Sequence, residues 1–383
     1  MLRDIFTEEH DMFRATYRRF LLAEVAPYSA AWREAGIVPR EMFRTMGAQG
    51  YLCTWADEQY GGLGITDFRY QQIMMEEDAV HGEAGFFHTL HSRLVGPYLK
   101  HFGSDEQRAK FLPGCISGNC ILAVAMTEPD AGSDLAGMRA RAEERGNHWL
   151  LNGAKTYISN GINADLVVVA AKTDPHNPRQ IGLFLVERAM PGFTRGRNLA
   201  KMGLHAQDTA ELFFSDVKIP QDNVLGDPRK GFHYLMQGLA EERLIGAVGY
   251  LACAQRAFDV TRDFVIGRKA FGQRIADFQN TRFKLAALRT ELDVAQAFID
   301  RCVTLHNEGQ LTATLAAQAK LYTSELESRM VDEGVQLHGG AGYMDEYEIC
   351  RLYTNARISR IYAGSSEIMK EIIARSVLDP ART

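Results

Sequence analysis

The sequence predicts an α+β protein in which helices and strands occupy separate stretches of the chain. Apolar residues follow a helical spacing up to about residue 118 and again from residue 231 to about 376, while short β-rich segments split by turns lie between. Alternating βαβ units would mix the two kinds of element, so this order predicts segregated domains. We place the domains at residues 1–119, 120–226 and 227–383.

Caps and helix breakers define the N-terminal elements. Thr7 can cap the first helix, with Glu8 and Glu9 in its first turn, where acidic side chains suit the helix dipole. Pro27 is expected to end this helix. The other predicted features are a helix from Pro39 to Gly50, helices through Tyr70–Met75 and Phe86–Phe102, and an end to the region at Pro113-Gly114.

Strand candidates in the middle region combine β-branched or aromatic residues with flanking turn signals. They are Ile121–Met126, Trp149–Leu151, Leu166–Ala171, Ile181–Val186 and Glu211–Phe214, and Gly146-Asn147 is a turn between two of them. Long helical runs then return at residues 232–265, 276–307 and 311–338, and Gly339-Gly340 ends the third.

Composition indicates a globular chain without a nucleic-acid or membrane partner. The 383 residues are 46% hydrophobic and 24% charged with a net charge of −5, so a basic surface for nucleic acid is not expected. No apolar run reaches the roughly 18 residues that a membrane span needs. The acidic N-terminal segment predicts neither a signal peptide nor a transit peptide. The six cysteines form no C-x-x-C pair, which predicts free thiols in a reducing cytoplasm.

Charged residues interrupt the apolar helix Leu235–Phe258. Glu241, Glu242 and Arg243 lie in its middle, and Arg256 is its only other charge. Because consecutive residues point about 100° apart on a helix, only one of the two glutamates is expected to face the interior. Burial would raise the pKa of that carboxylate and make it a proton acceptor near neutral pH. The alternative is a structural ion pair with Arg243 or Arg256.

Two segments of the middle region could bind a planar cofactor, although common nucleotide, hydrolase and metalloprotease motifs are absent and the histidines form no clear metal-ligand set. In Met126–Asp134 a strand ends in a turn rich in hydroxyl and N–H groups, which can bond a ring carbonyl or a phosphate. In Lys155–Gly161, Tyr157 and Ser159 project to one side of a strand. An ordinary turn and an ordinary half-buried strand are the alternatives.

Five motifs together are a more specific signal than any one of them alone. They are AVAMTEPDAGSD, LNGAKTYISNG, RKAFGQ, QLHGGAGY and RIYAGSSEIMKEIIAR. In this order they resemble the acyl-CoA dehydrogenase family over essentially the whole chain, and KMGLHAQDTAELFF and AEERL look most like its long-chain branch. The resemblance implies N-terminal helices, a middle β-barrel or sandwich domain and a C-terminal four-helix bundle. It also implies FAD as cofactor, electron transfer flavoprotein as electron acceptor, and a homotetramer built as a dimer of dimers.

The same resemblance implies a cofactor site on the middle domain. Thr127, next to Met126, would bond the flavin ring, and Ser133 would lie near the cofactor and the CoA pyrophosphate. Tyr157, where many relatives have Trp, would stack beside the isoalloxazine, and Ser159 would approach N5.

C-terminal residues complete the implied site. The residues that resemble positions reaching the FAD of a neighbouring subunit are Arg268, Phe271, Gln279, Gln336 and Gly340. Gly339 is also expected to bind the cofactor. Ser365 and Glu367 would close the adenosine side, and Arg243 would help hold the CoA end. Tyr362, Ala363 and Gly364 would line the substrate.

The position of the catalytic base departs from many family members. They carry a Glu directly after the Tyr of the last motif, where this chain has Ala363 after Tyr362. The long-chain and isovaleryl branches place the base on a helix as Glu-Arg, which matches Glu242-Arg243. Glu241 has no such match and is expected to support the site or to be exposed.

The resemblance therefore implies α,β-dehydrogenation of a fatty acyl-CoA to the trans-2-enoyl-CoA, with Glu242 as the base. The backbone N–H of residue 363 would stabilise the enolate oxygen. The alternatives are a dehydrogenase for branched acyl groups, isovaleryl-like or terpenoid-like, an acyl-CoA oxidase, and a non-catalytic family member that serves as a binding or assembly factor.

Overall fold

A computed structural model describes residues 3–177 and 179–378, so the predicted outer domain limits, residues 1 and 383, lie outside the described residues. The N-terminal region is helical, as predicted. Its helices are α1 Glu8–Phe20, α2 Ser29–Ala35, α3 Arg40–Ala48, α4 Phe68–His81, α5 Gly96–Phe102 and α6 Asp105–Ile116. Short π-helical stretches, Leu21–Val25 and Leu90–Val95, extend α1 and lead into α5.

Three details of this region differ from the prediction. Pro27 lies in the first turn of a 3₁₀ segment that leads into the unpredicted α2, because the fixed φ of proline suits a helix start. The helix predicted from Phe86 begins only at His88, since the preceding loop packs tightly: a Cβ on Gly85 would lie 2.6 Å from the backbone nitrogen of Gln207. Pro113 lies inside α6, which continues to Ile116.

The middle region forms one eight-stranded sheet. The strands are β1 Leu122–Ala125, β2 Arg141–Arg145, β3 His148–Ser159, β4 Leu166–Lys172, β5 Ile181–Glu187, β6 Phe193–Asn198, β7 Thr209–Pro220 and β8 Val224–Leu225. Their order in space is β6-β7-β3-β2-β4-β5-β8, and β1 pairs with β4 in parallel. All five strand candidates are present, β3 and β7 being longer than predicted, whereas β2, β6 and β8 were not predicted. The Gly146-Asn147 turn joins β2 to β3.

Long helices return in the C-terminal region. They are α7 Gly231–Gly267, α8 Gln279–Asn307 and α9 Ala313–His338, followed by the shorter α10 Glu348–Ala356 and α11 Ser366–Leu378. Two short strands, β9 Lys269–Ala270 and β10 Gln273–Arg274, form a hairpin between α7 and α8. Gly339 ends α9 with a φ of +61°, a conformation that glycine adopts without steric cost. The order helices, sheet, helices confirms the predicted fold class.

A shared hydrophobic core fixes α7 against the rest of the molecule. Leu235, near the start of α7, packs in one cluster with Leu99 of α5, Leu112 of α6 and Leu183 of β5. The start of α7 therefore packs against both the N-terminal helices and the sheet. Within residues 3–177 and 179–378, we find no helix with the length and apolar character of a membrane span and no cluster of three or more potential metal ligands.

Candidate active site

The two predicted cofactor segments are joined by direct contacts. The backbone N–H of Thr156 on β3 donates to the carbonyl of Thr127 at 2.9 Å. The turn after Thr127 closes on itself through hydrogen bonds between the backbones of Glu128 and Ala131. Ser133, further along this turn, is exposed. The structure thus brings the Met126–Asp134 turn and the Tyr157 strand together, as the motif analysis expected.

A buried ion pair fastens this turn to the sheet. The Lys155 ammonium, fully buried on β3, donates to Glu128 Oε1 and to the carbonyl of Met126, both at 2.9 Å. The Glu128 carboxylate also accepts the backbone N–H groups of Arg139 at 2.5 Å and Ala140 at 3.0 Å. One carboxylate therefore holds both ends of the loop that carries Ser133.

Tyr157 stands out on β3 because it combines exposure with unusual backbone geometry. Its side chain is 70% exposed and its φ is +59°, at an irregularity in the β3–β7 register. A non-glycine residue in the left-handed region costs energy and is kept mainly where function requires it. The free aromatic face, with the half-buried Ser159 two residues on and Thr127 close by, fits a planar heterocycle with polar edges.

The residues implied to reach a neighbouring subunit are exposed in the C-terminal region, at or next to the ends of its helices. Stacked rings of Phe264 and His338, 4.1 Å apart, join the end of α7 to the end of α9. Phe271, on the hairpin after α7, is 96% exposed with a φ of +51°. The other exposed members of this set are Arg268, Gln279, Gln336 and Gly340, and the neighbouring Gly339 is exposed as well.

Glu242 is a carboxylate on α7 that has no structural partner among the described residues. Arg256, one alternative partner, binds Glu348 through two hydrogen bonds of 2.8 and 2.7 Å. Arg243 makes no ion pair within 4 Å of Glu242, and no described side chain donates a hydrogen bond to the Glu242 carboxylate. Burial raises the pKa of Glu242, and the nearby charge of Arg243 offsets this only partly. These are the properties of a general base.

Glu241 has a different environment. Its carboxylate is half-buried between Arg93, at 3.7 Å, and His306, at 3.8 Å. Arg93 is buried and lies over the ring of Phe68. Glu241 therefore forms an ion pair with a buried arginine between α7 and the N-terminal helices.

Two glycines of α7, with Tyr250 of the same helix and Tyr98 of α5 packed against them, lie close to Glu242 in the structure. Gly238 and Gly246 lie one turn before and one turn after it, on the same helix face. The Tyr98 hydroxyl is 3.6 Å from the position of a Cβ on Gly238, and the Tyr250 hydroxyl is 2.8 Å from that on Gly246. A Cβ on Gly246 would clash with the Tyr250 hydroxyl, so this glycine lets the hydroxyl lie against the helix one turn from Glu242.

The loop implied to bind the thioester reaches the same place. Tyr362 and Tyr250 stack with ring centroids 6.1 Å apart. The next residues, Ala363 and Gly364, have φ values of +53° and +88°. Lys320 of α9 donates from Nζ to the carbonyl of Gly364 at 2.7 Å. Tyr250, two turns after Glu242 on α7, therefore connects the helix that carries Glu242 to the loop of residue 363.

The other predicted substrate and adenosine residues flank this loop. Arg243 is buried, and its Nε has no hydrogen-bond partner among the described residues. The Ser365 hydroxyl accepts the backbone N–H of Ile368 at 3.4 Å at the start of α11. Glu367 is exposed in the first turn of that helix.

Glu327 of α9 is a buried carboxyl group behind the stacked tyrosines. It is 4% exposed, and its Oε2 has no hydrogen-bond partner among the described residues. Burial raises its pKa to about 8, although a hydrogen bond from Ser359 and the charge of Lys320 act in the opposite direction. Glu327 is therefore expected to be protonated at neutral pH.

Replacing Glu327 by Gln is expected to flatten the pH dependence of stability. The folded-state pKa of Glu327 lies above the unfolded one. The contribution of Glu327 to the stability of the wild type is therefore full below about pH 4.3 and is lost as pH rises through about 8. Because one proton is involved, the free energy of unfolding falls by at most about 1.4 kcal/mol per pH unit. Urea unfolding of wild type and Glu327→Gln from pH 5.5 to 8.5 measures the difference. The exposed Glu308→Gln should keep the wild-type slope, and equal slopes for Glu327→Gln would show that Glu327 is already ionised.

Sequence reasoning did not single out Lys320, Glu327, Tyr98 or the Lys155–Glu128 pair. The available signal was spacing: Lys320 and Glu327 are seven residues apart on the face of α9 that otherwise carries Ala, Thr, Ser, Leu and Met. Charges repeated at this interval within an apolar stripe indicate a shared buried environment.

Comparison with known proteins identifies the family. Residues 7–119, 123–217 and 229–378 match the N-terminal, middle and C-terminal domains of acyl-CoA dehydrogenases. The chain is 46% identical over 380 residues to the mitochondrial long-chain specific acyl-CoA dehydrogenase of Sus scrofa, covering 98% of this chain and 88% of that protein. It is 37% identical over 376 residues to the mitochondrial isovaleryl-CoA dehydrogenase of Pongo abelii, covering 97% and 89%.

A solved structure agrees with this assignment. The crystal structure of an acyl-CoA dehydrogenase from Geobacillus kaustophilus superposes with a TM-score of 0.96 at 47% sequence identity, covering 98% of this chain and 100% of that one. The match confirms the expectation of an FAD-dependent oxidoreductase that acts on the CH–CH group of an acyl-CoA. The chain belongs to the acyl-CoA dehydrogenase family.

Proposed function

We propose that this protein dehydrogenates fatty acyl-CoA thioesters to trans-2-enoyl-CoA in fatty acid β-oxidation. The observation that carries this is Glu242: a carboxylate with a raised pKa and no described ion-pair partner, on a glycine-flanked face of α7, the helix whose Tyr250 stacks on Tyr362 next to Ala363. Its position matches the base of the long-chain branch. A non-catalytic binding or assembly factor would not need such a group, and burying it unpaired would only cost stability.

Different residues of the protein would remove the proton, stabilise the thioester oxygen and bind the flavin. Glu242 would remove the pro-R α proton, and the backbone N–H of Ala363 would donate to the thioester oxygen as negative charge develops there. FAD, when bound, supplies the acceptor for the β hydrogen as hydride. Thr127, Ser133, Tyr157 and Ser159 would hold the flavin, with Met126 in the same turn; the exposed ring and strained backbone of Tyr157 fit that role.

The assignment of the remaining site residues is also a proposal. Arg243, Tyr362 and Gly364 would line the substrate, and Ser365 and Glu367 would close the adenosine side. A branched, isovaleryl-like substrate is the second candidate, because Glu242 also matches the base position of the isovaleryl branch.

A panel of acyl-CoA substrates tests this function and the electron acceptor together. Straight-chain acyl-CoAs from butyryl to stearoyl, and branched ones including isovaleryl-CoA, are mixed with the FAD-loaded protein and either a dye acceptor or oxygen. We expect dye-linked turnover that is highest on long straight chains, with electrons passed to electron transfer flavoprotein in the cell. Oxygen uptake at a comparable rate would identify an acyl-CoA oxidase, and preference for isovaleryl-CoA would favour the second candidate.

We further propose a homotetramer arranged as a dimer of dimers. The exposed Phe271, with its strained backbone, and the exposed Arg268 and Gln336 suit contacts with the FAD of another chain. Light scattering of the purified protein is expected to give four chains per particle. Phe271→Ala should lower FAD content, whereas Phe283→Ala, which removes another exposed ring on α8, should not. An active, flavin-loaded monomer would contradict the proposal.

The compartment stays a prediction. All six cysteines are free, in agreement with a reducing environment such as the cytoplasm.

A further inference from the structure

We propose that Lys320 is a positioning residue that holds the backbone of Ala363 and Gly364 in the conformation needed to donate a hydrogen bond to the thioester oxygen. The inference rests on the proposed dehydrogenation and adds a residue that acts through the loop and does not touch the substrate.

Lys320 is buried to an unusual degree for a lysine. Its side chain is 0% exposed on α9, and its Nζ donates to the Gly364 carbonyl at 2.7 Å, across 44 positions of sequence. Burying an ammonium group costs free energy, whereas burying an apolar side chain at the same position would not. Keeping a lysine here is explained if the loop at Gly364 needs this hydrogen bond.

The loop is strained at the position that must donate. Ala363 has a φ of +53°, where a residue with a Cβ is disfavoured, and Gly364 follows at +88°. The Ala363 N–H makes no hydrogen bond with any described residue, so it can donate to a ligand. Such a conformation persists only where surrounding contacts impose it.

The surrounding contacts hold the loop at three points. Before the strained pair, Tyr362 stacks on Tyr250 of α7. After it, the Ser366 hydroxyl donates to Glu325 of α9 at 2.8 Å. Between them, Lys320 is the described side chain that binds the pair itself. Without it, the flanking anchors would remain while residues 363 and 364 could relax.

The Lys320 ammonium also contributes charge. Burial lowers its pKa to about 8, so most of it is protonated at neutral pH. Among the neighbouring charges, Glu325 raises this pKa and the Arg243 guanidinium lowers it. The positive charge of the ammonium, bound to the Gly364 carbonyl, favours negative charge on a thioester oxygen that accepts from the N–H of Ala363.

The test compares FAD-loaded wild type, Lys320→Met, Ala363→Gly and the double variant. The first readout is the infrared carbonyl stretch of bound trans-2-hexadecenoyl-CoA labelled with ¹³C at the thioester carbon. The second is the rate of flavin bleaching at saturating palmitoyl-CoA, measured separately from the dissociation constant. Lys320→Met keeps an unbranched side chain of similar length and removes both charge and donor.

We expect Lys320→Met to return the carbonyl stretch toward its value in water and to slow bleaching about 10- to 100-fold, with little change in binding. Adding Ala363→Gly should restore part of both, because glycine adopts positive φ without steric cost. A purely structural role for Lys320 would not move the carbonyl frequency, nor would it be rescued at residue 363.

Controls separate the possible failures. Lys370→Met removes an exposed lysine from α11 and should behave as wild type. If Lys320→Met does not retain FAD, Lys320→Gln is measured in the same way. If wild type bleaches and shifts the carbonyl stretch and the Lys320 variants match it, Lys320 does not position the loop. If wild type itself neither bleaches nor shifts the stretch, the proposed function fails.

Discussion

Replacing Glu242 by Gln is expected to slow flavin reduction by acyl-CoA by about 10²–10⁴-fold, which is the usual effect of losing a general base. Glutamine keeps the shape of the side chain and cannot accept the α proton. FAD and acyl-CoA should still bind, because no described residue donates a hydrogen bond to the Glu242 carboxylate that the change would remove. Stopped-flow bleaching of the flavin measures the rate, and titration with the enoyl-CoA product measures binding.

A second substitution tests whether the loss is one of proton transfer. Ala363→Glu, added to Glu242→Gln, places a carboxylate where other family branches keep theirs. The left-handed backbone at residue 363 already accommodates a Cβ, so the new side chain adds little backbone strain. Partial recovery is expected, since an error of about 1 Å in placement can cost 10²-fold. A Glu242→Gln protein that bleaches at nearly the wild-type rate would show that Glu242 is not the base, and Glu241 would be the next candidate.

The helices were predicted from sequence more completely than the sheet. The long helices α7, α8 and α9 bury a stripe that repeats about every 3.6 residues, and this pattern is local in the chain. By contrast, β2 reads RAEER and β6 reads FTRGRN, so neither shows the apolar alternation of a strand. They are strands because β3 and β7 pair with them. The order of strands in the sheet depends on such non-local pairing and could not be predicted.

The same distinction applies to the site. Glu242, Thr127 and Tyr157 lie in contiguous motifs, which a single sequence displays. The contacts of Lys320 with Gly364, and of the Tyr98 and Tyr250 hydroxyls with the face around Glu242, form between segments distant in sequence or between successive helix turns. They require the packing of α5, α7 and α9, which no motif contains.

Lys155→Met is expected to lower the free energy of unfolding by about 3 kcal/mol and to weaken FAD binding. Removing one member of a buried ion pair typically costs about 3–5 kcal/mol, because the other charge stays buried. Here Glu128 keeps two backbone N–H donors, so we expect the lower end of that range. Urea unfolding and FAD titration measure the two effects, and Lys218→Met, an exposed change on β7, should lie within about 0.5 kcal/mol of wild type.

The double variant Lys155→Met with Glu128→Gln separates two effects of losing Lys155. One is the unpaired charge left on Glu128, and the other is the loss of the hydrogen bonds that hold the turn to β3. Glutamine at residue 128 removes the uncompensated charge, so part of the stability should return relative to Lys155→Met alone. FAD affinity should stay low, because the amide introduced at residue 128 cannot replace the ammonium that binds the Met126 carbonyl and holds the turn to β3. If Lys155→Met were as stable as Lys218→Met and bound FAD as tightly as wild type, the pair would not be what positions the Thr127 turn beside Tyr157.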